Sequence, residues 1–196
     1  MEGLTVYNDD MRLQIDSNYI DVSLVSKTII GSGQQPSISD DSITAFSIND
    51  GGFVAPVNYS GNGIVYSFNN EPILKSPSGL GLELYGEDGD VYYSSKNKSI
   101  KVIDRIFIGS DELGYSFSWS KSYHSGVAIL PCSVPIYLSS SQGITYFRAI
   151  RFIRNGTIIS AEWGLFNNRP YQNSDGVLQR TKASNLEFLV IDASHY

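Results

Sequence analysis

Ile144-Thr-Tyr-Phe-Arg-Ala-Ile-Arg-Phe-Ile-Arg154 and Thr157-Ile-Ile-Ser-Ala-Glu-Trp-Gly-Leu-Phe166 stand on either side of Asn155-Gly156. Apolar and polar residues alternate along both arms, the period of a half-buried strand. Asn-Gly is the pair favoured in two-residue type I′ turns, so the segment is expected to be an antiparallel hairpin. With Arg154 opposite Thr157, Phe152 faces Ile159, Ile150 faces Ala161 and Tyr146 faces Leu165. Arg148 then faces Trp163, and its guanidinium is expected to stack on the indole.

The same texture extends outward in both directions. Strand-like runs occur at Val22–Ile30, Ser42–Ile48, Gly52–Val57, Gly63–Phe68, Gly79–Tyr85, Val91–Ser95 and Ser99–Ile108, then at Tyr115–Ser120, Gly126–Leu130, Val134–Ser139 and Ser184–Ile191. Clusters of Gly, Asn, Asp or Pro separate them, the punctuation of sandwiches and barrels. No helical periodicity persists beyond about two turns. The expected fold class is all-β: an antiparallel β-sandwich with a duplicated β-hairpin unit. Residues 1–196 are read as a single domain with an N-terminal hairpin at 3–30. Two small β domains, 1–75 and 76–196, are the alternative division, and Gly31-Ser-Gly-Gln-Gln-Pro-Ser37 is the strongest linker candidate.

The duplication is visible directly. Gly3-Leu-Thr-Val-Tyr-Asn-Asp-Asp-Met-Arg-Leu-Gln-Ile-Asp-Ser17 returns without a gap as Gly81-Leu-Glu-Leu-Tyr-Gly-Glu-Asp-Gly-Asp-Val-Tyr-Tyr-Ser-Ser95, an offset of 78 (81 less 3). Self-similarity at a fixed spacing points to one supersecondary unit used twice. Four-residue loops, Asn8–Met11 and Gly86–Gly89, pair Val6 with Leu13 and Leu4 with Ile15, and in the second copy Leu84 with Val91 and Leu82 with Tyr93. One face is then apolar. The other carries Tyr7 opposite Arg12 and Tyr85 opposite Asp90, which makes Tyr7, Arg12 and Tyr85 candidate contact residues.

Composition removes several function classes. A formal charge of −6 with no Lys/Arg cluster argues against nucleic acid; Arg148, Arg151 and Arg154 read as a solvated strand face. A single cysteine, Cys132, allows no internal disulfide and reads as a small buried hydrophobe. The polar opening is not that of a signal peptide, and no apolar run nears the roughly 18–20 residues that span a bilayer, so no membrane insertion is expected and the product is expected to be made in a cytoplasm.

No specific chemistry emerges from the motifs. His124 and His195 have no partner at metal-ligand spacing, and the paired acids at 9–10, 40–41 and 87–90 fit turns better than a calcium loop. No nucleophile elbow, phosphate loop or dinucleotide fingerprint occurs. The expectation is no enzyme, no cofactor and no metal. Tyr115-Ser-Phe-Ser-Trp-Ser-Lys-Ser-Tyr-His124 alternates aromatics with serines. If Tyr115, Phe117 and Trp119 point inward they are core; if outward, Trp119, Tyr123 and His124 make a strip suited to sugars or to another protein.

The pattern Gly3-Leu-x-Val-Tyr-Asn, followed by Leu13-x-Ile-Asp-Ser17, resembles the opening of small tail proteins encoded by lambda-like long-tailed phages and prophages. Gly81–Ser95 follows it with Ser94 in place of the Asp. Met11 departs where a Gly is usual, and Gly89 keeps it. The resemblance covers residues 3–17 and 81–95 only. It implies a structural virion protein of a tail tip or tail fibre that assembles with other tail proteins, with a structural or host-contact role, and the symmetric assembly usual for such β-proteins makes a homo-oligomer the expectation (trimer favoured). It carries over no catalytic residues. A carbohydrate-binding, receptor-binding module for host-surface glycans is the alternative from a different class.

Overall fold

Most of the described residues run extended, and none is helical. The computed structural model describes residues 5–7, 13–16, 22–31, 34, 42–54, 58–69, 82–85, 89, 91–94, 98–114, 116–124, 126–141, 144–165, 171–172 and 185–196. They form β1 (Thr5–Tyr7), β2 (Leu13–Asp16), β3 (Ser23–Ile30), β4 (Ile43–Val54) and β5 (Asn58–Asn69). β6 (Glu83–Tyr85), β7 (Val91–Ser94), β8 (Val102–Ile108), β9 (Ser118–Ser122) and β10 (Val127–Ser133) follow. The last five are β11 (Ile136–Ser141), β12 (Ile144–Asn155), β13 (Ile158–Leu165), β14 (Tyr171–Gln172) and β15 (Leu186–Asp192).

The fold is all-β and antiparallel. β1–β2 and β6–β7 are separate two-stranded sheets, and the other eleven strands hydrogen-bond into one. Its main path runs β8-β15-β10-β4-β12-β13-β9, with β5 added to β4, β3 to β5, and β11 and β14 to β12. The sheet stays continuous through a corner at which β4 changes partner along its length. Phe46 faces Ile129 of β10; beyond an irregularity between Ile48 and Asp50, Gly52 and Phe53 face Ile153 and Phe152 of β12. A bulge that bends a strand is the usual way a sheet turns such a corner. Strands on both sides of residue 75 therefore share one hydrogen-bonded sheet.

Two apolar clusters lie on opposite faces of the central strands. Phe46, Val65, Ile129, Phe152, Phe188 and Val190 belong to the first, and Ala45, Tyr66, Phe68, Ala128, Leu130 and Ile191 to the second. Register explains the division. Phe46 faces Val65 while Ala45 faces Tyr66, and Ile129 faces Val190 while Ala128 faces Ile191. Successive residues point to opposite faces, so each strand feeds both cores. Val127 to Leu130 and Leu186 to Asp192 can thus carry apolar residues with almost no alternation. In the first core Phe188 touches Phe152 (centroids 5.0 Å) and Trp119 (5.2 Å), both edge-on.

The second core is enclosed by main-chain pairing. β4 pairs β5, β5 pairs β3, and Ser23 of β3 bridges Ser99, just upstream of β8. Leu24 N–H donates to Lys98 O at 3.0 Å and Ile100 N–H to Val22 O at 3.1 Å. β8 pairs β15, β15 pairs β10, and β10 returns to β4. This ring is stitched further by Tyr196. Its ring lies 5.5 Å from Tyr66 and 5.3 Å from Phe68, its hydroxyl donates to Ser99 O at 2.7 Å, and its carbonyl accepts from Lys27 Nζ at 3.0 Å.

Two registers differ from the sequence expectation. In the β12–β13 hairpin Asn155 faces Ile158, so Gly156-Thr157 is the two-residue loop. Gly156 has φ of 60°, the conformation that type II′ turns ask of their first central residue. Arg148 therefore faces Leu165, and Trp163 faces Ile150 with its indole N–H given to Gly114 O at 2.9 Å. The expected Arg148–Trp163 pair is displaced, and the Arg148 Nε is sealed from solvent without a hydrogen-bond partner. In the small sheets Tyr7 faces Leu13 and Tyr85 faces Val91, giving five-residue loops rather than four. Both place an irregularity at the same point, between Val6 and Tyr7 and between Leu84 and Tyr85. Gly89, with φ of 86°, takes the left-handed conformation that glycine adopts most readily.

Candidate functional site

The first core is closed differently from the second. β8 and β9 end the main path of the large sheet, and no main-chain pairing joins them among the described residues. They meet through side chains. On β8, Ile106 and Ile108 point into the first core, and the same parity aims Asp104 inward. Lys121 Nζ donates to Asp104 Oδ2 at 2.7 Å, and the Tyr123 hydroxyl donates to the same oxygen at 2.5 Å. The Lys121 ammonium also stands 5.7 Å from the Tyr123 ring centroid. These donors hold the Asp104 carboxyl below its ordinary range, chiefly through the hydrogen bond from Lys121 and then that from Tyr123. Burial, followed by the bond to Asp104, pushes the Tyr123 phenol up, so it remains a donor.

A second polar cluster surrounds Asp192. Its Oδ1 accepts from the Ser194 hydroxyl at 2.5 Å and from the Ser194 N–H at 3.1 Å, and its Oδ2 accepts from Lys101 Nζ at 2.9 Å. The Ser194 and Lys101 bonds hold this carboxyl low. His195 Nδ1 lies 4.0 Å away on the same side of the carboxylate as Ser194. The serine hydroxyl is thus given directly to the carboxylate, with no imidazole between them. A triad nucleophile has the imidazole in that place, and a carboxylate held this low is a weak base. The cluster is a capped turn.

The residues picked from sequence are scattered. Trp119 is half-buried against Phe188, and Phe117 packs on the same core, so these two point inward. Tyr115 lies outside the described residues. Tyr123 is engaged at the β8–β9 seam, whereas His124 is exposed, its Nδ1 accepting from Gly126 N–H at 3.3 Å. Tyr85 is exposed and gives its hydroxyl to Glu83 at 2.7 Å, which raises its pKa. The backbone of Tyr7 is in β1, and Arg12 lies outside the described residues, as do the paired acids at 9–10, 40–41 and 87–88. Cys132 is exposed rather than buried, because it is the extra residue at the irregularity between Pro131 and Ser133. Among the described residues no group of three acids, histidines or cysteines could hold a metal ion.

Sequence reading missed Asp104. A signal was present: an acid on the face of a strand whose next inward positions are Ile106 and Ile108. No family model, curated protein or solved structure matches this chain.

Proposed function

We propose that this chain is a structural virion protein of a phage tail tip or tail fibre, assembling with other tail proteins and with copies of itself. The observation that carries the reading is the state of strand β3. Among the described residues its outer edge is paired only around Ser23, yet Val25 and Ile29 are 60% and 78% exposed. Strand edges that stay single in solution are commonly guarded by an outward charge. Here the one charged residue, Lys27, turns its ammonium toward the Tyr66 ring (5.7 Å) and the Tyr196 carbonyl. The strand is left with an apolar, unguarded margin suited to burial against a neighbour. Phe107 on edge strand β8, 56% exposed, adds a second such position.

The reading is non-enzymatic, with a homotrimer favoured and the tail of the virion as its place. The glycan-binding alternative loses support from Trp119, whose ring is committed to Phe188. Sedimentation of the purified chain at rising concentration tests the assembly. The expected result is an oligomer that the double variant Val25→Lys, Ile29→Lys reduces to a monomer. A wild-type chain that stays monomeric at high micromolar concentration and binds no tail protein would overturn the proposal.

A further inference from the structure

The β8–β9 seam carries an inference that does not depend on the assembly reading. The junctions along the main path of the large sheet are made by main-chain pairing, from the single Ile129–Phe46 pair of β10 and β4 to the eight pairs of β12 and β13, and such hydrogen bonds open only when a strand leaves. The seam is instead held by one carboxylate oxygen and two donors from β9 and its following residue. β9 itself pairs only with β13, and its residues other than Trp119 are exposed. Behind it lies apolar surface: Trp119 rests on Phe188, and Ile106 and Phe117 flank the same core. The reach of a Tyr and an Asp laid end to end spans the gap, so opening it breaks no backbone bond between β8 and β9, and leaves β9 held only by its ladder to β13, from which it then frays more readily.

We propose that β9 is a flap latched by Asp104, whose release opens the first core at the seam while the second core stays shut. The latch is cooperative in construction. Lys121 and Tyr123 share a single acceptor atom, so loss of Asp104 frees both donors together, whereas loss of either donor leaves the other in place. The shared wall need not move, because β15 is held by main-chain ladders to β10 and to β8, and β10 also pairs with β4 at Ile129–Phe46.

Hydrogen exchange followed by mass spectrometry on the full chain tests this. In Asp104→Ala, peptides covering β9 (118–122) are expected to exchange at least about tenfold faster, while those covering β10 and β15 keep the wild-type rate. Should that variant fail to fold, Tyr123→Phe keeps the ring and removes only the hydroxyl; it is expected to raise β9 exchange by a smaller factor, again without change in β10 or β15. Unchanged exchange in β9 in whichever of these folds would overturn the proposal. So would an equal rise across β9, β10 and β15, which is global loosening and not a flap.

Discussion

The two cores lie back to back on the same central strands, yet they are sealed by different chemistry. The second is ringed by main-chain pairing, through the Ser23–Ser99 bridge, and stapled by Tyr196. The first ends at a seam where Asp104 receives Lys121 and Tyr123. Backbone ladders have no titratable part and are indifferent to salt. A carboxylate latch is sensitive to both. The same molecule therefore has one enclosure closed by main-chain pairing and one whose last seam rests on a titratable contact.

The most severe way to break this comparison is to remove the ring on which the first core turns. Phe188→Ala deletes the partner of both Phe152 and Trp119 in a fully buried position, and is expected to cost about 3–5 kcal/mol. Denaturant unfolding measures the loss, and near-ultraviolet dichroism should show the Trp119 signal collapse. A cost under about 1 kcal/mol would mean that the first core is not tightly packed.

Tyr196→Phe probes the other enclosure more gently. It keeps the contacts with Tyr66 and Phe68 and removes only the hydroxyl that reaches Ser99, for an expected loss of about 1–1.5 kcal/mol. That loss should be the same at pH 7 and pH 5.

The smallest effect sharpens the contrast. Asp104 has its pKa lowered from 3.8 in the folded chain, so its contribution is complete above that value and fades as pH falls through the lower folded value. Acidification from pH 5 toward pH 2 should remove roughly 1 kcal/mol through this group, a modest figure because Lys121 is half-exposed. The difference in acid sensitivity between wild type and Asp104→Asn, followed by thermal melts, reads it. Equal acid sensitivity in the two proteins would assign the effect elsewhere, with Asp192 the first place to look.

What could be read from the sequence follows from what is local. Alternation located nearly every strand, because the pleat itself has that period. It could not fix partners. In the β12–β13 hairpin, the expected and observed registers differ by two residues, and a shift of two leaves every side chain on its original face. Ile150 and Phe152 are core in either register, and either turn asks a positive φ of Gly156, so the pattern is silent on which is right; only the pairing of Asn155 with Ile158 distinguishes them. Likewise the alternation in 42–57 gave two short strands where β4 is one, since a bend between Ile48 and Asp50 leaves the pairing with β5 running on. The seam was the least legible part. Asp104 on β8 meets Lys121 on β9 and Tyr123 just after it only because the sheet curls, and nothing local in the sequence announces that curl.

The shared wall has a consequence for how this chain can vary. Along β10 and β15 each step of one residue delivers a side chain to a different core, with Ile129 on one side and Ala128 and Leu130 on the other. Slipping either strand by a single position would swap the occupants, driving branched chains into space shaped around alanine and leaving hollows opposite Phe152. An inserted or deleted residue between Val127 and Leu130 would therefore disturb both cores at once, whereas the extra residue Cys132 lies past that stretch, at the irregularity between Pro131 and Ser133.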